Sequence, residues 1–491
     1  MLSPTAILLL VAIGPTQRAV AQHGLAQRID RITEAPPLHR ATWGILLVDH
    51  RGRERYARNA DRLFVPASNA KIVVTATATA LLDPAFRVVT SVYGSGPVID
   101  GVLRGDLVVY GRGDPTFSER CYSTDTLAVG ACDSLWTRMD ALADSIVARG
   151  VRHVSGAIVG DGSSFSGPQV HPAWETYDVN WWYAAPVSGL GFNDNSLNLR
   201  WGPGATVDAP ATIRMEPRLD IFPLENRTRT VPADSGRSID FFRIPGTRQL
   251  WSEGTVPLGT RERTEYFAVP DPDLFFAAAL RHALAQRGVS IAGATTSTTD
   301  SLRYRHVREA PALVDVPSRP LADIIFPVLN TSQNWFAEML LKVLGREIAG
   351  DGSWRGGLTV ERRFLIDSVG IDSTAFGLTD ASGLSSGNVI TPRALAHVLR
   401  YMRMHPNGAA FLRALPRSGA PGSLRTRFAG TPLEGHVVAK TGSIYRVNAL
   451  SGFIERDNGE VWTFVVMLNN HNARYRAVLD AIDAVVLEMG R

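Results

Sequence analysis

The feature that most constrains this fold is a segment that is apolar on every side of a predicted helix yet carries a lysine in its first turn. Ser68 to Leu82 is rich in alanine and valine, and Asp83-Pro84 ends the pattern. A helix without a polar face belongs in a protein core. An unpaired charge is costly there, so Lys71 calls for a chemical explanation.

Lysine is scarce in this protein, which gives each lysine position weight. Only three of the 51 basic residues are lysines, and the rest are arginines. Arginine keeps its proton in proteins, whereas burial or a nearby cation lowers the pKa of lysine and lets it act as a base. Lys71 and Lys440 lie in motifs described below. Lys342 ends an apolar helical run and is predicted to be a surface charge.

The length and charge of the chain narrow the classes of function. A chain of 491 residues can form roughly two to four domains. The formal net charge is +4, and the arginines form no basic cluster. We therefore expect no nucleic-acid partner.

The predicted elements change character twice along the chain. Residues 91–308 consist of short alternating runs separated by turn residues, which predicts a β-rich region of two subdomains with one helix, Asp273 to Gln286. Residues 22–90 and 309–491 predict longer helices and strands, beginning with a strand at Thr42 to Asp49. The sequence thus predicts an α+β fold whose core domain comes from both ends of the chain and is split by a large β-rich insertion.

The second part of this core domain has the clearest pattern. Helices are predicted at Leu321 to Leu329, at Asn334 to Leu344 and after the cap Thr391-Pro392. Strands are predicted at Gly435 to Lys440, Ala449 to Glu455 and Glu460 to Leu468. A last amphipathic helix, Ala473 to Met489, has an acidic polar face, so we expect it to pack on the sheet and to make at most peripheral membrane contact.

The N-terminus resembles an export signal. Ala6 to Ile13 is a short apolar core, and Ala19-Val20-Ala21 is a small-residue cleavage site, which together predict a signal peptide over residues 1–21. The protein is then exported to a periplasmic or other extracytoplasmic space. No lysine or arginine precedes the apolar core, so an uncleaved apolar arm or anchor remains an alternative.

The chain has two cysteines, Cys121 and Cys132, close together in sequence. Export to an oxidising compartment would permit a local disulfide between them. Two free thiols are the alternative.

Ser68 and Lys71 form a possible nucleophile and base. Residues three apart at the start of a helix share one face and can touch. A serine hydroxyl becomes a good nucleophile when a base removes its proton, and a lysine in an apolar helix next to a second cation has the lowered pKa that this requires. The S-x-x-K pattern alone occurs often by chance.

Two further motifs could complete such a site. Ser332-Gln333-Asn334 precedes an apolar helix, where its hydroxyl could pass a proton and its amide could hold a carbonyl, although a helix cap is the ordinary role of such residues. Lys440-Thr441-Gly442 is predicted at the end of a strand. Its cation and hydroxyl suit a carboxylate, and its glycine lets a substrate backbone lie close. The backbone N–H of Ser443 could stabilise an oxyanion together with that of Ser68. A simple hairpin turn is the alternative.

Taken together and in this order, the three motifs match the S-x-x-K, S-x-N and K-T-G set of penicillin-recognising serine enzymes. The chain resembles one branch, the D-alanyl-D-alanine carboxypeptidase/endopeptidase family of low-molecular-mass class C penicillin-binding proteins. The stretches that carry this resemblance are Pro66 to Lys71, Gly113 to Thr116, Tyr183 to Ser188, Ser332 to Leu340 and Asp380 to Ser385. Ala70 and Ala381 depart from the pattern of the family without removing a reacting group.

The resemblance implies a penicillin-binding/β-lactamase-like transpeptidase domain and a role for each motif residue. Ser68 would form an acyl-enzyme with the penultimate D-alanine, and Lys71 would activate it. Ser332 would pass the proton to the departing amine, and Asn334 would position Lys71 and the substrate. The implied substrate-binding residues are Lys440, Thr441, Gly442 and Ser443.

The resemblance also implies the partners. Peptidoglycan stem peptides would be the substrates and β-lactams covalent inhibitors, with no metal or organic cofactor. The balance between removing a terminal D-alanine and cutting cross-links stays open.

Other functions remain possible on the sequence alone. Gly383-Leu384-Ser385-Ser386-Gly387 matches the nucleophile elbow of α/β-hydrolases, but that motif requires a strand before it and a helix directly after it. A catalytically weak wall-binding or β-lactam-sensing protein would use the insertion as its binding surface. A β-lactamase or esterase on the same fold would need an acidic residue placed to activate water.

Overall fold

A computed structural model describes residues 15–244 and 246–491 of the chain. The predicted apolar core of the export signal, Ala6 to Ile13, lies outside these residues, and the predicted cleavage site falls within the first helix. The helices are α1 (Pro15–Thr33), α2 (Ala70–Leu81), α3 (Thr137–Ala148), α4 (Pro272–Ala285), α5 (Leu321–Leu329), α6 (Asn334–Leu344), α7 (Trp354–Arg363), α8 (Pro392–Met404), α9 (Gly408–Ala414) and α10 (Tyr475–Gly490).

The strands fall into three stretches of the chain. The first holds β1 (Thr42–Val48), β2 (Glu54–Arg58) and β3 (Val89–Gly94). The middle stretch holds β4 (Val98–Ile99), β5 (Val102–Leu103), β6 (Leu107–Tyr110), β7 (Arg120–Cys121), β8 (Cys132–Asp133), β9 (His153–Val154), β10 (Ile158–Asp161), β11 (Ser196–Gly202), β12 (Thr212–Glu216), β13 (Leu224–Val231), β14 (Asp240–Arg243), β15 (Leu250–Pro257), β16 (Arg263–Ala268), β17 (Ser290–Ile291), β18 (Thr295–Thr298) and β19 (Val314–Pro317). The last holds β20 (Phe376–Gly377), β21 (Val389–Ile390), β22 (Val437–Ile444), β23 (Val447–Glu455) and β24 (Val461–Asn469).

The central sheet joins the two ends of the chain. Its five strands are antiparallel in the order β2-β1-β24-β23-β22, and Thr42 of β1 lies opposite Asn469 of β24. Successive side chains of a strand point to opposite faces. Accordingly, Ile45 and Leu47 pack with α10 on one face, whereas Leu46 and Val48 pack on the other face with the core that contains α2 and α6. The predicted α+β fold, an antiparallel sheet flanked by helices, is confirmed.

The C-terminal helix α10 packs on the sheet, as its acidic polar face predicted. Its apolar side chains Val478, Ile482, Val485 and Met489 are fully buried. Burial of side chains of this size stabilises the fold by roughly 1.5–3 kcal/mol each. Among the described helices, none combines the length and apolar character needed to cross a bilayer.

The β-rich middle of the chain begins and ends on paired strands. The chain enters it on β3 and leaves on β19, which are antiparallel neighbours. Its largest sheet has the order β18-β10-β6-β3-β19, and it has a hydrophobic core of its own. Helix α4 lies where a helix was predicted, but α3 was not predicted. We propose that the boundary between catalytic domain and insertion lies at the β3–β19 pair, so that the second crossing falls at Val314–Pro317, a few residues after the predicted position 308.

Lys342 is buried, and the prediction of a surface charge is wrong. Only 1% of it is exposed, because α7 covers the end of α6 on which it lies. Its Nζ lies 3.9 Å from the ring centre of Trp354 and donates a hydrogen bond to the carbonyl of Pro168 at 3.3 Å. Burial lowers the pKa of Lys342 to about 8.

The two cysteines, which the sequence left either bonded or free, form a disulfide. Cys121 and Cys132 lie opposite each other in the two-stranded β7–β8 hairpin. The bond closes a surface excursion of the insertion.

Candidate active site

Ser68 and Lys71 lie side by side at the start of the buried helix. Ala67–Asn69 forms a tight 3₁₀ turn, and α2 begins at Ala70, so the regular helix starts two residues later than predicted. The Nζ of Lys71 is 2.8 Å from the Oγ of Ser68. Lys71 is fully buried, whereas Ser68 is partly exposed, as a nucleophile that meets a substrate must be.

The surroundings of Lys71 offer it one more acceptor than a neutral amine can use. Besides Ser68 Oγ, its Nζ lies 2.7 Å from Asn334 Oδ1 and 2.6 Å from the carbonyl of Ser382. An ammonium group donates to all three. A neutral amine donates to the two oxygens that can only accept and keeps its lone pair for the proton of the Ser68 hydroxyl. This is the arrangement that a base for Ser68 requires.

Burial makes the neutral amine accessible near neutral pH. Desolvation lowers the pKa of Lys71 to about 7, against the opposing fields of Glu338 and Asp380, which favour its charged form. The pKa of Lys440 is also held well below its usual value, first by burial and then by the charge of Lys71. The two lysines therefore compete for protons.

Ser332 adopts an unusual backbone conformation. Its φ is 64°, a left-handed conformation that is uncommon for residues other than glycine, asparagine and aspartate. Such strain persists only when the surroundings fix the residue. The conformation places the Oγ of Ser332 at 2.9 Å from the Nζ of Lys440.

Asn334 begins helix α6 and links the site to the insertion. Its Oδ1 accepts from Lys71, and its Nδ2 donates to the carbonyl of Tyr183 at 2.8 Å. The amide of Asn334 is thereby fixed at both ends. The insertion thus supports the site directly.

The K-T-G motif lies within β22, not at the end of a strand as predicted. The strand continues to Ile444, so the interpretation of the motif as a hairpin turn is wrong. Position 442 must be glycine for a steric reason, since a Cβ there would lie 2.7 Å from the carbonyl oxygen of Pro66 and 3.2 Å from the nitrogen of Ser68. Its lack of a side chain lets β22 approach the nucleophile turn. Ser443 is exposed next to it, and its Oγ accepts from Asn448.

The sequence analysis missed one residue beside Thr441, at the end of the site where a carboxylate is expected to bind. The Oγ1 of Thr441 lies 3.2 Å from the Oγ of Ser423. Ser423 follows an irregular Gly/Pro-rich stretch that matches no motif. Only the fold brings it to β22.

A second missed residue is Glu338 on α6, below Lys71. It is fully buried and accepts hydrogen bonds from the backbone N–H of Ser382 at 2.7 Å and from the indole of Trp354 at 2.8 Å. Burial and the neighbouring Asp380 raise the pKa of Glu338 to about 7. Its position in the apolar helix after S-x-N was the available signal, because a buried acid there needs partners.

The loop Asp380 to Ser385 is a support and not a nucleophile elbow. Asp380 accepts from the backbone N–H groups of Gly383 and Ser385, and from the indole of Trp174 in the insertion. No strand precedes Ser385 directly, and the next helix begins only at Pro392. The elbow interpretation is therefore wrong.

Within residues 15–244 and 246–491, no three His, Cys, Asp or Glu side chains are grouped so that they could hold an ion.

Known proteins resemble this chain along nearly its whole length. Residues 25–489 match the model of the D-Ala-D-Ala carboxypeptidase 3 (S13) family. A D-alanyl-D-alanine carboxypeptidase of Actinomadura sp. (strain R39) is 30% identical over 93% of this chain and 83% of its own length. Carboxypeptidase DacB of Mycolicibacterium smegmatis is 29% identical over 98% of this chain and 86% of its own.

Solved structures share the fold. Penicillin-binding protein 4 (DacB) from Haemophilus influenzae superimposes with a TM-score of 0.80 at 20% identity, covering 94% of this chain and 99% of that protein. The same protein in complex with a β-lactam gives a TM-score of 0.76 at 19% identity, covering 96% and 99%.

Proposed function

Because this chain belongs to the D-Ala-D-Ala carboxypeptidase 3 (S13) family, we propose that it hydrolyses peptidoglycan stem peptides ending in D-Ala-D-Ala through an acyl-enzyme. It is a serine-type hydrolase. The observation that carries the mechanism is the position of Lys71, which has two acceptors for its N–H groups and the Ser68 hydroxyl for its lone pair.

In the first step, Lys71 takes the proton of Ser68 as Oγ attacks the carbonyl of the penultimate D-alanine. The backbone N–H groups of Ser68 and Ser443 stabilise the developing oxyanion. The closeness of Gly442 to the nitrogen of Ser68 supports this pairing of strand and turn.

In the second step, the amide bond breaks and the departing amine needs a proton. Ser332, whose hydroxyl lies 2.9 Å from the Nζ of Lys440, relays to the amine the proton that Lys71 took from Ser68. Lys440 and Thr441 bind the carboxylate of the leaving D-alanine. Asn334 holds Lys71 and the substrate amide, and water then releases the acyl group.

A β-lactam enters the same site, since its amide and carboxylate imitate the substrate, and it remains as a stable acyl-enzyme. The solved complex of the Haemophilus influenzae relative contains such a compound. A silent binding protein is not favoured, because the reacting groups form two hydrogen-bonded pairs, Ser68 with Lys71 and Ser332 with Lys440.

The enzyme acts outside the cytoplasm, where its substrate is. The cleavage site after Ala21 supports export. Cleavage there would leave Leu25 and Ile29 of α1 in the core beside α10, and would leave the Arg28–Glu488 ion pair intact. Export is also consistent with the disulfide.

The test combines two measurements on the purified protein. A fluorescent penicillin should label the protein covalently, and a D-Ala-D-Ala pentapeptide should lose one D-alanine by mass spectrometry. Ser68→Ala should abolish both, whereas Ser385→Ala should retain both. Labelling that persists in Ser68→Ala would refute the assignment of the nucleophile.

A further inference from the structure

We propose that His471 is a positioning residue for the oxyanion site, because it holds Ser443 in a fixed place relative to Ser68. This inference rests on the proposed function and deepens it, since it takes the backbone N–H groups of Ser68 and Ser443 as the oxyanion donors. His471 lies outside the three motifs, just after the end of β24. It reaches Ser443 through Asn448 of β23, the residue that pairs with Ser443 in the sheet.

Ser443 needs support because of its place in the sheet. Strand β22 lies at the edge of the central sheet, with β23 as its neighbour there. Ser443 is the last residue but one of this edge strand, and the turn that follows begins with Tyr445, 82% of which is exposed. Strand ends beside exposed turns open more easily than the core of a sheet. An oxyanion donor must nevertheless stay about 2.7–3.1 Å from the position that the oxyanion will occupy.

A chain of side-chain hydrogen bonds crosses the sheet from His471 to Ser443. The Nε2 of His471 lies 2.9 Å from the Oδ1 of Asn448, and the Nδ2 of Asn448 donates to the Oγ of Ser443 at 3.1 Å. His471 and Asn448 are only 9% and 2% exposed, so water competes little for these bonds. The chain runs from the end of β24 across β23 to β22, and it ties the edge strand to the interior of the sheet.

The direction of each bond follows from the groups that form it. The Oδ1 of Asn448 can only accept, so His471 donates from Nε2. The other ring nitrogen of His471, Nδ1, is buried without a hydrogen-bond partner in the described part of the chain, and it therefore carries the lone pair. Burial, followed by the charge of Arg446, lowers the pKa of His471, which favours this neutral form. The Oγ of Ser443 is an acceptor in the chain, so its own proton is available to a substrate group.

The turn that contains His471 also holds the segment of the other oxyanion donor. Asn469, two residues before His471, accepts from the backbone N–H of Val65 at 2.9 Å and donates to the carbonyl of Val65 at 3.1 Å. Val65 lies three residues before Ser68, at the entry to the nucleophile turn. Asn470, between Asn469 and His471, has a φ of 60°, a left-handed conformation that asparagine tolerates better than most residues. One short turn is thus bonded to both sides of the oxyanion site.

Loss of His471 should affect the transition state more than substrate binding. The oxyanion forms only as the Oγ of Ser68 attacks, whereas Lys440 and Thr441 hold the carboxylate before the attack. Removal of an oxyanion donor costs about 10²–10³-fold in kcat. A donor that is displaced but still present should cost less. We therefore expect about a tenfold fall in kcat, with KM within about twofold of the wild-type value.

The experiment compares His471→Leu with His471→Gln and with His436→Leu. Leucine removes the donor, whereas the amide of glutamine can donate to Asn448 in place of the imidazole. His436→Leu is the matched control, because the Nδ1 of His436 lies 3.0 Å from the carbonyl of Glu455, at the opposite end of the β22–β23 pair. It removes one histidine hydrogen bond from the same pair of strands without touching an oxyanion donor.

Two quantities are measured for each variant. The first is hydrolysis of a D-Ala-D-Ala pentapeptide, with kcat expressed per molecule that penicillin labels at completion, so that unfolded protein does not imitate a loss of rate. The second is inhibition by a boronic acid analogue of the penultimate D-alanine. Its tetrahedral adduct with Ser68 places an oxygen in the oxyanion site, and its affinity therefore reports on the donors.

We expect His471→Leu to lower kcat about tenfold and to weaken binding of the boronic acid by a similar factor. His471→Gln should keep both within about threefold, and His436→Leu within about twofold. Ser443→Ala removes the Oγ through which His471 acts, so adding His471→Leu to Ser443→Ala should cause no further loss.

Three outcomes would overturn the inference and leave the proposed function in place. They are equal losses in His471→Leu and His436→Leu, a loss in His471→Leu that is confined to KM, and losses that add when His471→Leu is combined with Ser443→Ala. A wild-type protein that neither cleaves the pentapeptide nor forms an acyl-enzyme with penicillin would overturn both the inference and the proposed function.

Discussion

Glu338 accepts a hydrogen bond from the backbone N–H of Ser382, and the carbonyl of the same residue accepts one from Lys71. A buried acid on α6 therefore fixes, through the backbone of one residue, an oxygen that orients the proposed base. The acid also contributes a negative field that favours the charged form of Lys71. Geometry and proton affinity at Lys71 are thus both coupled to Glu338.

The acylation rate should rise with pH near neutrality. We call this rising part of the pH profile the limb. The pKa of Lys71 is lowered to about 7 by burial. Below that pH the amine is protonated and cannot take the proton of Ser68, so kcat/KM should fall with acidity and reach a plateau as the pH rises above 7. Penicillin acylation rates measured from pH 5 to about 9 would check this. A flat profile would contradict Lys71 as the base.

Glu338→Gln should move this limb to lower pH. The substitution removes the carboxylate that raises the pKa of Lys71 but keeps an oxygen for Ser382. Glu361→Gln is the matched control. Burial raises the pKa of Glu361 well above its usual range, and the carboxylates whose fields act on Lys71 are those of Glu338 and Asp380, so replacing Glu361 should leave the limb in place. A limb that moves equally in both variants would show that the charge of Glu338 is not the cause.

Lys71→Met and Lys342→Met should separate a reacting lysine from a structural one. Both side chains are buried on neighbouring helices, but only Lys71 contacts Ser68. Loss of a general base slows a reaction by about 10²–10⁴-fold, so we expect acylation of Lys71→Met to fall by at least this factor. Lys342→Met should acylate at close to the wild-type rate. Stopped-flow or gel-based penicillin labelling gives both rates, and comparable losses would refute the distinction.

Gly442→Ala should weaken both the site and the fold. The added Cβ would press on the Pro66 carbonyl and the Ser68 nitrogen, which would move β22 away from the nucleophile turn. Overpacking of this kind costs about 1–3 kcal/mol in the free energy of unfolding, and acylation should fall as well. Gly236→Ala is the control, since nothing lies within 4 Å of its Cβ position. Denaturant unfolding and penicillin labelling provide the two measurements, and unchanged labelling of Gly442→Ala would argue against the close approach.

The predicted signal peptide and its cleavage site can be tested by determining the N-terminal residue of the mature protein. We expect the secreted protein to begin at Gln22, and Edman degradation or intact mass would show it. An N-terminus at Met1 in the mature protein would favour the uncleaved arm.

Local sequence patterns predicted the structure correctly where neighbouring residues alone determine it. Helices α5 and α6 begin and end at the predicted residues, and Thr391 caps α8 through its side chain, because period and capping are properties of neighbouring residues. The set of three motifs was recognisable for the same reason, since each lies within a few consecutive residues.

Long-range packing decided what these patterns could not. Lys342 has the local sequence of a surface lysine, and packing against Trp354 of α7 and the Pro168 segment of the insertion buries it. The contacts of Glu338 and Ser423 likewise depend on segments far apart in the chain. The sequence by itself determined which chemical groups are present and where helices begin. The tertiary structure alone decided which of them are removed from water and brought into contact, because burial and hydrogen bonding across the fold set the proton affinities on which the reaction depends.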